Sequence, residues 1–160
     1  MPFKTVKNRL NIITEKTREE RFDLFQYWLM DLSDALNRFI DSKPLCIRDQ
    51  LDYSIESLDI IENYLLSQYS HNNEIIQESA DMLNGYSIYV GETFRKVLKD
   101  KTDRHPNIWK IELDDVDDAF YNLPIIKVGA YTGCPRTLVT ACLDRKKGNY
   151  FSEILINQIK

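Results

Sequence analysis

Residues 86–95 have the combination of side chains closest to a functional site. Tyr89, Gly91, Glu92 and Arg95 occur together within an apolar pattern of helical spacing. A glycine inside a helix costs about 1 kcal/mol relative to alanine, so close packing of another backbone against Gly91 would explain its presence. Glu92 would then lie near that contact. A desolvated carboxylate with Tyr89 and Arg95 nearby has the chemistry for ligand binding or proton transfer.

Glu92 also has a purely structural interpretation. It can pair with Arg95 or Lys96, three or four residues later on the same helix face, or cap strand backbone. We favour this interpretation, because structural ion pairs perturb carboxylates as well. Trp109 joins the candidates, since the strand that carries it follows the helix closely, and it is the expected neighbour of Gly91. The predicted binding residues are therefore Tyr89, Glu92, Arg95 and Trp109.

The cysteines and histidines form no recognisable motif. Cys46, Cys134 and Cys142 include no CxxC pair, and His71 and His105 lie far from them in sequence. A disulfide framework or a structural zinc site is therefore not expected. His105 could approach a cysteine in the fold and act as its base, or assist Glu92 in a small hydrolase. A free cysteine more often behaves as a small hydrophobic residue.

Two charged clusters could be mistaken for ligand sites. The acidic run Glu112, Asp114, Asp115, Asp117 and Asp118 has the oxygens that hard cations require, but its spacing fits no EF-hand. A solvated turn between two strands is the favoured interpretation. The basic run 145–147 lies in the last turn of a predicted helix and complements its dipole. The sequence also contains no P-loop, GxGxxG, GxSxG or HExxH motif, so no cofactor or metal is predicted, and a protein without catalysis is favoured over an enzyme.

The composition is that of one folded domain. The chain has 160 residues, of which 43% are hydrophobic and 29% are charged, and its net charge is −4. A single domain over residues 1–160 is expected at this length. The modest acidic balance disfavours a nucleic-acid partner and an anionic membrane. No apolar run approaches a bilayer span and no signal peptide is recognisable at the N-terminus, so we expect a cytoplasmic protein.

The hydrophobic period changes once along the chain. Helical spacing predicts helices over about 18–40, 55–69 and 74–98, with Thr17 and Ser54 as N-caps of the first two. Alternation then predicts a strand at 109–113, and a β-branched run predicts a second at 125–128, paired with it in antiparallel. Helices over about 136–146 and 150–158 follow on either side of Gly148. The predicted fold is α+β, in which N-terminal helices pack on a small antiparallel sheet with two short C-terminal helices.

Several short segments occur in an order that resembles a loosely defined set of small, uncharacterised bacterial cytoplasmic proteins. They are LDYSIESLDIIENYL, YSIYVGETFRKVL, Trp109, YNLPIIKV and LVTACLDRKKGNYFSEIL, and they span roughly residues 50–158. The chain differs from that pattern at Ile55, where a helix-opening proline is usual, and at 100–108, where a short glycine turn is usual. Some proteins of this kind look like immunity or partner-binding proteins of toxin systems. The resemblance implies the fold and establishes no activity.

Two functions of different class follow from these observations. The first is a non-catalytic protein-binding module, of immunity or adaptor type, that occludes a protein partner through an acidic surface. It is based on the absence of catalytic motifs, the acidic run at 112–118 and the aromatic residues available for a contact patch. The alternative is a small enzyme or ligand-binding protein with a carboxylate pocket around Glu92.

Overall fold

The computed structural model of the chain describes residues 16–78 and 80–160 and confirms the α+β prediction. Residues 1–15, where no signal peptide is recognisable, and residue 79, inside the predicted third helix, lie outside the described residues. The helices and strands follow one another in this order: α1 Arg18–Asp41, α2 Leu45–Arg48, α3 Ile55–Gln68, α4 Asn72–Glu78, α5 Ala80–Lys101, β1 Asn107–Ile111, β2 Pro124–Val128, β3 Tyr131–Gly133, α6 Pro135–Arg145 and α7 Tyr150–Ile159.

Both predicted N-caps are confirmed. The Thr17 hydroxyl accepts from Glu20 N at 3.1 Å, and the Ser54 hydroxyl accepts from Ser57 N at 3.1 Å. These bonds satisfy amide groups that have no partner inside the first helical turn. The short helix α2 is absent from the sequence prediction, because four residues are too few to show a helical period. Pro44 occupies its N-cap position.

The sheet is antiparallel with the strand order β1-β2-β3. Strand β1 covers 107–111, two residues earlier than predicted, and pairs Trp109 with Ile126. Strand β3 is absent from the sequence prediction. It pairs Val128 with Tyr131 across a tight turn in which Gly129 has φ +59°. Three residues are too few to show an alternating pattern, so a strand of this length has no clear sequence signal.

Helix α5 is the centre of the core. It packs against α1, α3, α6 and α7 and against strands β1 and β2, and its residues from Gly85 to Gly91 are all buried. Both glycines lie where another element comes close. A Cβ on Gly85 would lie 2.7 Å from Phe39 Cγ of α1, and one on Gly91 would lie 2.5 Å from Trp109 Cζ2. The predicted Gly91–Trp109 contact is confirmed, although an indole ring fills the space in place of backbone.

The helices of the described residues fall short of what a membrane span needs. None of them combines sufficient length with sufficient apolar character to cross a bilayer. Helix α5, although long and central, has charged residues along its C-terminal half, including Glu92, Arg95 and Lys96. These charged side chains lie in or beside the candidate site described below.

Candidate functional site

Three of the four predicted site residues meet where α5 packs on β1. Glu92 Oε1 accepts from the indole Nε1 of Trp109 at 2.5 Å and from Arg95 Nη1 at 2.8 Å. The ion pair that the structural interpretation of Glu92 predicts is therefore present, with Arg95 as the partner. The Glu92 side chain is 16% exposed and that of Arg95 is 28% exposed. Both charges are thus partly shielded from water, which strengthens their attraction.

Asn107, the first residue of β1, also belongs to this cluster. Arg95 Nε donates to Asn107 Oδ1 at 2.9 Å and Arg95 Nη2 donates to Asn107 O at 3.1 Å, while Asn107 Nδ2 donates to Arg95 O at 2.9 Å. The guanidinium group thus bridges the end of α5 to the start of the sheet. We call Glu92, Arg95, Asn107 and Trp109 the α5–β1 clamp. Asn107 was not predicted as a site residue, because an asparagine at the start of a strand has no distinctive spacing.

Tyr89 belongs to a different network. Its hydroxyl donates to Ser57 Oγ at 2.8 Å and accepts from Tyr53 N at 3.2 Å, and its ring stacks on that of Tyr53 with centroids 5.2 Å apart. Burial raises the pKa of Tyr89, and the hydrogen bonds from its neighbours oppose the shift. Tyr89 therefore ties α5 to the start of α3 and does not bond to the α5–β1 clamp.

An open groove of about 510 Å³ runs beside the clamp. Its lining includes Glu92 and Arg95 together with the basic residues Lys96, Lys99 and Arg104 and with His105. His105 is exposed and lies 3.5 Å from Asp103, and Lys96 Nζ lies 4.2 Å from the centroid of the Tyr53 ring. The groove is therefore basic overall, while Glu92, on its wall, already receives two donors from inside the fold.

The acidic run forms a turn, as the sequence predicts. Glu112 Oε2 accepts from Asp114 N at 3.1 Å, Asp115 Oδ1 from Asp117 N at 3.1 Å and Asp118 Oδ1 from Phe120 N at 2.8 Å. Within the described residues, no group of three or more His, Cys, Asp or Glu is arranged to hold a metal ion. Asp114 is ion-paired at 2.5 Å with Arg18 of α1, which lowers the pKa of that carboxyl group. This pair connects the acidic turn to the start of α1.

The side of α1 that faces away from the core exposes large apolar residues among acidic ones. Leu24 is half exposed, Tyr27 is 67% exposed and Met30 is 78% exposed. We call this surface, together with Asp23 and Asp34, the acidic face. Val116, in the separate acidic turn, is also exposed. Apolar side chains of this size rarely cluster at a surface without a role in contact.

Glu62 is a buried charged residue that has no distinctive signal in the sequence. It lies on α3, and its side chain is completely buried. Its two oxygens accept from the backbone N–H groups of Tyr150 and Phe151, each at 2.9 Å. Burial raises the pKa of Glu62, and the backbone hydrogen bonds counteract part of this effect. The carboxylate thus caps the start of helix α7. The N-cap residue Asn149 makes no side-chain cap of its own.

Lys43 is a second buried charge with no signal in the sequence. It follows α1 and is only 5% exposed. Its Nζ lies 4.4 Å from the ring centroid of Phe39, 4.9 Å from that of Tyr86 and 3.2 Å from Met82 Sδ. Burial lowers the pKa of Lys43 to about 8. The ring faces attract the ammonium group and so oppose this shift.

The thiols and imidazoles lie in different environments. Cys134 and Cys142 are buried and Cys46 is exposed, whereas His71 and His105 both lie at the surface. Burial raises the pKa of the Cys142 thiol well above its usual range, and nearby Glu62 adds to the effect. A thiol of this kind stays protonated at neutral pH and is a poor nucleophile. These properties do not favour Cys142 as the nucleophile of a Cys–His catalytic pair.

No protein-family model, curated protein or solved structure matches the chain. Its function has to be inferred from the acidic face, the α5–β1 clamp and the buried charges described above.

Proposed function

We propose that the protein is a non-catalytic protein-binding module, of immunity or adaptor type, that uses the acidic face to contact a basic protein partner. The observation that carries the proposal is the exposure of Tyr27 and Met30 on α1, at 67% and 78%, in acidic surroundings. A tyrosine or methionine that projects from a rigid helix is a common anchor of an interface.

Helical spacing places the apolar and acidic residues of α1 on one surface. Positions 23, 27, 30 and 34 succeed one another at intervals of three or four and so share a helix side, opposite the buried Phe25 and Phe39. Asp23 and Asp34 are exposed, and neither forms an ion pair with another described residue. Their charge is therefore available to attract a basic partner and to guide its approach.

The polar groups that could support catalysis are largely engaged inside the fold. Glu92 receives Trp109 and Arg95, and Arg95 is further engaged by Asn107. This engagement favours a structural role for the α5–β1 clamp over the alternative of a carboxylate pocket around Glu92. If the protein were instead an enzyme or a ligand-binding protein that uses Glu92, its ligand would have to bind in the groove beside the clamp.

The proposal can be tested by affinity capture with matched variants. The wild-type protein, the double variant Tyr27→Ala/Met30→Ala and the control Ile156→Ala would each be immobilised and exposed to a lysate of the source organism at low salt. Ile156 is a suitable control because it is an exposed apolar residue of α7, outside the acidic face. We expect a basic protein to bind the wild type and the control and to be lost from the double variant.

The captured protein would then be purified and its binding measured at increasing salt concentration. A contact between opposite charges weakens as salt screens it, so the association rate should fall steeply. The proposal fails if no protein distinguishes the wild type from the double variant, or if the binding is insensitive to salt and to Asp23→Lys/Asp34→Lys.

A further inference from the structure

A second concave surface, distinct from the groove beside the clamp, is lined by Trp109. It is a cleft of about 340 Å³ between α1, α5, the start of β2 and the start of α6. Trp28, Leu83, Trp109, Pro124 and Pro135 form its apolar wall. Its volume lies within the range of small-molecule sites, which begins at about 300 Å³. We call this surface the indole cleft.

Hydrogen bonds from both indole N–H groups hold the apolar wall in place. The rings of Trp28 and Trp109 meet edge to face, with centroids 5.0 Å apart and planes at 74°. Trp109 Nε1 is bound to Glu92, and Trp28 Nε1 donates to Asn84 Oδ1 at 2.8 Å. Because both indole N–H groups are already engaged, the cleft presents preorganised hydrocarbon surface to an occupant.

The polar groups at the edge of the cleft include two that offer donors. Asn84 uses its oxygen to accept from Trp28, so its amide NH₂ remains the group with hydrogen atoms to donate. Arg136 lines the same cleft, is exposed and forms no ion pair with any described residue. Ser87 donates its hydroxyl hydrogen to Leu83 O at 2.7 Å. Asp81 is the acidic residue of the lining.

We propose that the indole cleft binds a small carboxylate with an aromatic or branched apolar body. The body packs against the indoles and the prolines, and the carboxylate meets the Arg136 guanidinium and the Asn84 amide. Arginine suits this role because its planar donors match a carboxylate. The site is separate from the acidic face and does not depend on the proposed protein-binding function.

Tryptophan fluorescence gives a direct measurement, because Trp28 and Trp109 are the two tryptophans of the chain and both line the cleft. The wild-type protein would be titrated with phenylacetate, with the neutral 2-phenylethanol and with the cationic 2-phenylethylamine. We expect a saturable change with phenylacetate. The alcohol and the amine should bind more weakly by about tenfold or more, since a hydrogen bond to a charged group contributes about 1.5 kcal/mol or more.

Three variants separate the proposal from an unspecific effect. Arg136→Gln removes the cation, and Asn84→Asp keeps the acceptor for Trp28 while it replaces the NH₂ donor by a negative charge. Each should weaken phenylacetate binding about tenfold. Lys110→Gln removes an exposed positive charge of β1 outside the cleft and should leave binding unchanged. Circular dichroism would confirm that each variant is folded.

Three results would overturn the assignment: no saturable response to phenylacetate, tighter binding of the amine than of the carboxylate, or equal affinity in the wild type and Arg136→Gln. Because Arg136 is exposed, its replacement does not threaten the fold, and this arm remains decisive even if Asn84→Asp is unstable. A failure here leaves capture of a partner by the acidic face unaffected, since neither Tyr27 nor Met30 lines the cleft.

Discussion

Two glutamates join elements of this fold in different ways. Glu62 of α3 uses both carboxylate oxygens, one for the N–H of Tyr150 and one for that of Phe151. Glu92 of α5 uses a single oxygen, Oε1, for both the Trp109 indole and the Arg95 guanidinium. Glu62, which joins α3 to α7, accepts from neutral backbone donors in the interior. Glu92, which joins α5 to β1, accepts from a cation in a partly exposed position.

This difference determines which carboxylate an amide can replace. A glutamine has one acceptor oxygen and an NH₂ group that can only donate. At position 92 that one oxygen can still receive both donors. At position 62 the NH₂ group would face a backbone N–H, and one buried donor would lose its acceptor. The α3–α7 junction therefore depends on a carboxylate as such, while the α5–β1 clamp depends mainly on geometry.

The largest effect is expected from Gly91→Val, which tests whether geometry controls the α5–β1 clamp. The added atoms would collide with the Trp109 ring and with Pro135 Cγ, which lies 3.0 Å from an ideal Cβ. We expect the free energy of unfolding to fall by about 3 kcal/mol, as measured by chemical denaturation. Gly91→Ala should be destabilised less. If Gly91→Ala were more stable than the wild type, close packing at this position would be disproved.

Glu62→Gln should lower the free energy of unfolding by about 2 kcal/mol, because a buried N–H of α7 is left without an acceptor. Urea denaturation followed by circular dichroism would measure this loss. Hydrogen exchange at Tyr150 and Phe151 would show whether it is located at the start of α7. A variant as stable as the wild type, with unchanged exchange at these two amides, would mean that the two-oxygen cap is dispensable.

Lys43→Met extends the comparison to a buried cation. Burial lowers the pKa of Lys43 from 10.5 to about 8, so the folded state binds its proton less readily than the unfolded state. The free energy of unfolding is therefore highest above pH 10.5, where Lys43 is neutral in both states, and it decreases as the pH falls from 10.5 through 8. We therefore expect Lys43→Met to be more stable than the wild type at pH 7 by about 1 to 2 kcal/mol, after allowance for the attraction of the rings.

The advantage of Lys43→Met should shrink as the pH rises from 8 to 10.5 and then level off, since methionine has no proton to release. Denaturation of both proteins at several pH values would show this, because the other titrating groups are common to both. A difference that stays constant with pH would show that the rings compensate the ammonium group fully.

Glu92→Gln should have the smallest effect of the set, about 1 kcal/mol or less, because the amide oxygen keeps both donors and only the ionic part of the Arg95 contact is lost. The same denaturation measurement gives the value. A loss as large as that of Glu62→Gln would contradict the distinction between the two junctions and would show that the charge on Glu92 is essential for the clamp.

The features that could be predicted from the sequence are those whose partners lie close together in the chain or have a strong steric signature. The caps Thr17 and Ser54, the Glu92–Arg95 pair and the approach of Trp109 to Gly91 all involve residue types with fixed local spacing or a strong steric signature. These features were recognisable before the structure was known.

The missed features depend on contacts between distant segments. Glu62 binds backbone N–H groups nearly ninety residues away, and backbone donors have no sequence identity. The surroundings of Lys43 come from three helices, through Phe39, Tyr64 and Tyr86. The indole cleft likewise depends on the meeting of α1 with β1. Such sites become visible only when the packing of the helices and the sheet is known.

The unequal burial of the three thiols makes the native chain suitable for single-site labelling. Cys46 on α2 is exposed, whereas Cys134 and Cys142 are enclosed, and burial keeps the Cys142 thiol protonated. A thiol reagent should therefore modify one position in the folded protein and three after denaturation, because only an accessible thiolate reacts readily. A dye on Cys46 would then report on partner binding or unfolding without the removal of any native cysteine.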